Sequence, residues 1–132
     1  MNAPQPGQAP PPAATALAEL DAAALARLRE LDPDGRQGIV QRVLNAFDSS
    51  LTRMLVQLGS EPDRSDPAAV AALAHQIKSS AGAVGAMALS ATCAEIERRL
   101  RDGLPGDLGA DVRRLVAEGE AAREAVRAML RA

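Results

Sequence analysis

Apolar residues in this chain return at steps of three and four, segment after segment, and that spacing sets what it can fold into. Between about Arg36 and Leu58, the positions Val40, Val43, Leu44, Phe47, Leu51, Leu55 and Leu58 trace one stripe of a helix, and Gly59 closes it. Four further segments share the pattern. The first spans about Asp21 to Leu31, with Leu20, Leu25, Leu28 and Leu31 apolar, Asp21 as the expected N-cap and Asp32-Pro33-Asp34-Gly35 as the stop. Another opens with Asp66 as cap and Pro67 at the first helical position and continues to about Val84. A fourth covers about Ala86 to Asp102, with Leu89, Cys93, Ile96 and Leu100 as a narrow stripe and Gly103 as stop. The last runs from about Leu108 to Leu130 through Val112, Leu115, Val116, Val126 and Met129, weakened slightly by Gly119 in its middle.

Long amphipathic helices joined by short links pack antiparallel. The expected fold is therefore all-α: an antiparallel up-down four-helix bundle with a short additional N-terminal helix capping one end. Composition agrees, since strand-rich cores draw on aromatic and β-branched side chains and this chain holds one Phe and no Tyr or Trp. Residues 1–15 are rich in Pro, Ala and Gln and carry no charge, which predicts an extended tail or linker ahead of a helical domain over 16–132. No apolar run approaches the roughly 20 residues of a membrane span, and no basic-then-apolar leader opens the chain. A net charge of −2 gives no electrostatic reason to expect nucleic acid. One cysteine forms no internal disulfide, and the composition fits a reducing cytoplasm.

Of the 15 basic residues 14 are Arg, and the only Lys, Lys78, stands three positions after the only His, His75. On a wheel of about 100° per residue, Val70, Leu73, Ile77, Ala81 and Val84 define the buried face, and His75 points almost directly away from it. Lys78, Ser79 and Gly82 lie on the side of His75. A solvent-facing imidazole titrates in the physiological range and in its neutral form offers a free ring nitrogen as nucleophile. A neighbouring ammonium disfavours the imidazolium and can meet phosphoryl oxygens. Ser79, Gly82 and Ala83 leave a flat surface for close approach. Gly82 costs about 1 kcal/mol relative to Ala inside a helix, so either a docking partner or close packing against a neighbouring helix should compensate.

The run Ala74-His75-Gln76-Ile77-Lys78-Ser79-Ser80-Ala81-Gly82-Ala83-Val84-Gly85-Ala86 resembles the signature of histidine-containing phosphotransfer (HPt) domains, and Leu89, Cys93, Ile96 and Glu97 resemble the helix that follows it. The likeness extends over most of residues 16–132. It implies a phosphorelay module without kinase activity of its own, carrying a phosphoryl group on its histidine between aspartates of receiver domains. Carried over residue by residue, His75 is the phosphoacceptor, Lys78 the charge stabiliser, and Gln76, Ser79, Gly82 and Ala83 the receiver-docking surface. Ser79 stands where Gly is frequent and still permits close docking; Ala83 stands where Asn often occurs, which removes a polar contact. The implied partners are receiver domains and a hybrid sensor histidine kinase. No cofactor is expected on this chain, Mg²⁺ and the acidic pocket being expected on the receiver. A monomer is favoured.

Other constellations carry less. Cys93 sits on the stripe with Leu89, Ile96 and Leu100, which predicts a buried thiol rather than a reactive one. One His and one Cys do not supply a zinc site. Glu95 and Glu97, two apart, point to different helix faces and give no support to paired acid/base catalysis. Arg98, Arg99, Arg101, Arg113 and Arg114 read first as a solvated helix face, with a rim of the docking surface as the second reading. The competing function is a helical docking or adaptor module that binds receivers or other partners without phosphoryl chemistry. A helical enzyme lacks a second catalytic group.

Overall fold

The computed structural model describes residues 20–132; the tail expected over residues 1–15 lies outside the described residues. Among the described residues the chain is all-helical, with no strand. Five α-helices follow in order: α1 (Ala22–Glu30), α2 (Ile39–Gly59), α3 (Pro67–Val84), α4 (Met87–Arg101) and α5 (Leu108–Arg131), with a short 3-10 turn (Pro62–Arg64) before α3.

Three helices start on an aspartate whose carboxylate accepts a backbone N–H of the first turn: Asp21 from Ala24 (3.0 Å), Asp66 from Ala69 (3.3 Å) and Asp107 from Ala110 (3.1 Å). These caps are the ones expected for α1 and α3. The start of α2 differs from expectation, at Ile39 rather than about Arg36. Asp32 explains the delay: its buried carboxylate accepts the N–H groups of Gln37 and Ile39, holding the intervening residues in a loop. Gly38 then enters the helix at φ 61°, a left-handed conformation suited to glycine. Burial pushes the Asp32 carboxyl up, but the N–H donors of Ile39 and Gln37, with Asp34 and Gly38, outweigh it and hold the group below its ordinary value.

Each helix contributes its apolar stripe to one core: Leu44, Phe47, Leu51 and Leu55 from α2, Val70, Ile77, Ala81 and Val84 from α3, Leu89, Cys93 and Ile96 from α4, and Val112, Leu115 and Val126 from α5. Leu73, expected on the buried face, is only partly buried, and Ala74 takes a fully buried place instead. α3 packs most extensively on α4, α2 on α5, and α1 lies against α2 and α3. Alanines on the buried face of α3 let α4 come close.

The connection that positions everything below is the turn between α3 and α4. Gly85 (φ 86°) ends α3, and the N–H of Ala86 reaches back to the carbonyl of Ala81 (2.8 Å), the wrapped helix ending that needs glycine. α4 starts immediately, so α3 and α4 form a tight hairpin in which Ser90 lies beside Lys78 and Glu97 beside His75. Gly85 serves a second purpose. Its carbonyl accepts the N–H of Asp21 (2.8 Å), and a Cβ here would stand 2.6 Å from that nitrogen, so only glycine lets the start of α1 close over the hairpin.

Candidate functional site

His75 stands in the middle of α3, away from the core side chains Ala74 and Ile77 on either side of it in the helix's buried arc. Its side chain is 52% exposed, and it does not stand free as the wheel suggested. Nδ1 lies 2.9 Å from Oε2 of Glu97, across the hairpin on α4. Lys78, one turn further along α3, donates to the other carboxylate oxygen, Oε1, at 2.6 Å. Arg101, one turn along α4 from Glu97, reaches Oε2 at 2.7 Å. One carboxylate thus gathers an imidazole, an ammonium and a guanidinium.

Glu97 itself is 4% exposed. A charge at that depth is tolerable only when paired and hydrogen-bonded, and both of its oxygens are. The Lys78 hydrogen bond draws its carboxyl below the ordinary value; burial works the other way, and His75 and Arg101 add to the lowering. A neutral imidazole facing an ionised carboxylate carries its proton on Nδ1 and donates it there. Nε2 is then the unprotonated nitrogen, with its lone pair available.

The remaining sequence candidates fall around this cluster. Gln76, Ser79 and Ala83 are exposed on α3. Ser79 Oγ donates only a long bond to the His75 carbonyl (3.4 Å). Gly82 is partly buried, and a Cβ there would meet only Ser90 Oγ at 3.7 Å, ordinary contact. Close packing among the described residues therefore does not require Gly82. Cys93 is buried as expected, and burial first, then the charges of Glu118 and Glu97, push its thiol up to about 12, so it is inert. Among the described residues, no group of three His, Cys, Asp or Glu side chains could hold a metal ion, and no helix is long and apolar enough to cross a membrane.

The sequence offers Glu97 only as part of the helix that resembles the family's and Arg101 only, as a second reading, as a rim of the docking surface; nothing within one helix places either beside His75. The hairpin holds the missing signal: His75 precedes Gly85 by ten residues and Glu97 follows Ala86 by eleven, so folding the chain at that turn sets them level.

No curated protein and no solved structure matches the chain. The family model for the Hpt domain matches residues 38–131, from the residue before α2 to the end of α5, so the whole hairpin with its histidine lies inside the match and the chain belongs to the Hpt domain family.

Proposed function

We propose that the chain is a histidine phosphotransfer module of a two-component phosphorelay, carrying a phosphoryl group on His75 between aspartates of receiver domains, with no kinase activity of its own. One observation carries this reading: a half-exposed imidazole whose Nδ1 is held by a buried carboxylate, within the matched Hpt region. The four long helices, α2 to α5, form its antiparallel up-down bundle, and α1 caps one end. It works as a monomer in the cytoplasm, with receivers and a hybrid sensor kinase as its partners.

Transfer is in line. The Nε2 lone pair of His75 forms the N–P bond while the P–O bond to the receiver's aspartate breaks, and that electron pair returns to the aspartate carboxylate. Nδ1 keeps its proton, so the ring takes up positive charge facing Glu97. Lys78 offsets the charge of the phosphoryl oxygens. Gln76, Ser79, Gly82 and Ala83 offer an uncharged, low surface on which a receiver can approach the imidazole; that Gly82 has room for a methyl group it lacks supports this use. Mg²⁺ belongs to the receiver's acidic pocket, and this chain brings the nucleophile and the cations.

The test is incubation with phosphorylated receiver domains from the same source, comparing the wild type with His75→Gln. Acid-labile phosphate should appear on the wild type alone as the receiver loses it. A folded wild type that binds a receiver but accepts nothing from any of them would make this a docking module instead.

A further inference from the structure

The position of Arg101 gives it a part in the transfer itself. Lys78 has two demands on it. At rest its ammonium pairs with Glu97 Oε1 at 2.6 Å. When the phosphoryl group arrives on His75, that same ammonium is the α3 cation within one helical turn of it, and meeting the new oxygens draws it off the carboxylate. Glu97 then keeps the positive ring at Oε2 but loses the lysine at Oε1, and a buried carboxylate is costly unless its charge stays well paired. Arg101 sits on the oxygen that Lys78 does not use, Oε2, at 2.7 Å, the oxygen that also accepts the Nδ1 proton.

We propose that Arg101 is a positioning residue for phosphotransfer: it holds the charge of Glu97 while Lys78 moves from Glu97 to the phosphoryl group. With the imidazole neutral, one carboxylate and two cations leave the accepting site with a net positive charge, which the incoming phosphoryl group cancels. Without Arg101 the site starts neutral and ends negative. Arg101 thus favours the phosphorylated state over the unphosphorylated one, and it does so through Glu97 without touching the phosphoryl group. The guanidinium is 62% exposed, so solvent screens its effect. At such exposure a unit charge acting across Glu97 is worth about a three- to tenfold change in equilibrium.

This inference rests on the phosphotransfer reading, and the experiment separates the two. The equilibrium between phosphorylated receiver and phosphorylated wild type is measured from both directions, beside Arg101→Ala, Arg101→Lys and Arg127→Ala, the last removing an equal charge from the α2–α5 side, where it pairs with Asp48. Failure of the wild type to accept phosphate defeats the phosphotransfer reading. With the wild type active, R101A should shift the equilibrium toward the receiver by about three- to tenfold, R101K should restore most of it, and R127A should match the wild type. A merely structural Arg101 would lower the melting temperature and leave this equilibrium unmoved. Equal equilibria for R101A and wild type, or an equal shift in R127A, would overturn the proposal.

Discussion

Glu97 gathers the side chains on which the proposed chemistry depends, and its own part in it is passive. Its negative charge faces Nδ1, which decides which ring nitrogen of His75 carries the proton. Replacing the carboxylate by an amide keeps an acceptor of similar shape but removes the charge that fixes the tautomer and, in the proposed transfer, steadies the ring. Glu97→Gln should therefore slow phosphoryl transfer to His75 by about tenfold or more while the helical circular dichroism stays unchanged. Single-turnover transfer from a phosphorylated receiver measures it, and a wild-type rate in E97Q would show that tautomer control plays no part. His75 and Lys78 were legible in the sequence because they share a helix and stand one turn apart. Glu97 was not, because its relation to them crosses from one helix to another.

Two glycines in helix interiors look alike in sequence and differ in what surrounds them. A Cβ at Gly119 of α5 would lie 2.6 and 2.8 Å from the two methyl carbons of Leu55 and 3.2 Å from its Cγ. Leu55 is 4% exposed, and a methyl group added at Gly119 would force its packed side chain to move. Gly119 is thus the close-approach point of α5 on α2, and the slight weakening expected from it is the cost of that packing. Gly119→Ala should destabilise the fold by about 1–3 kcal/mol despite alanine's better helix propensity, because overpacking dominates. Among the described residues a Cβ at Gly82 of α3 would meet nothing closer than 3.7 Å, so Gly82→Ala should stabilise by up to about 1 kcal/mol. The same G82A variant should slow transfer from the receiver if that surface docks it. Thermal melts of the two variants should move in opposite directions; a lower melting temperature for G82A would mean that α3 and α4 need the glycine for themselves.

Acid stability belongs to the whole molecule. Asp32, buried under the loop between α1 and α2, and Glu97, buried between α3 and α4, both have carboxyls held below their ordinary values of 3.8 and 4.5. The unfolded chain takes up these protons at higher pH than the folded one. Their stabilisation is therefore complete above about pH 5 and is lost as the pH falls through the lowered values. Melting temperature should stay level from neutrality to about pH 5 and then drop, and the drop should be shallower in a protein carrying Asp32→Asn and Glu97→Gln together. An unchanged acid limb in that double variant would place the acid sensitivity in other carboxylates. The loop built on Asp32 also joins α1, which lies before the matched residues, to the helices within them, and the Asp21–Gly85 contact ties α1 to the hairpin that carries His75.

The sequence by itself determined the helices, because periodicity, caps and stops act within a few residues of one another. Asp66-Pro67 opens α3 and Val84-Gly85 ends it as the spacing predicted, and the stripe of Leu89, Cys93 and Ile96 is buried as expected. It also determined the exposed imidazole with a cation one turn away. Only the tertiary structure decided what the imidazole faces, why Gly119 is required and Gly82 is not, and where α2 begins. Each of these depends on a side chain meeting a partner beyond its own helical turn: Glu97 with His75, Leu55 with Gly119, Asp32 with the backbone of Gln37 and Ile39. The first meeting is set by the α3–α4 hairpin, whose register its turn fixes, the second by how α5 meets α2, and the third by how the loop after α1 folds on Asp32.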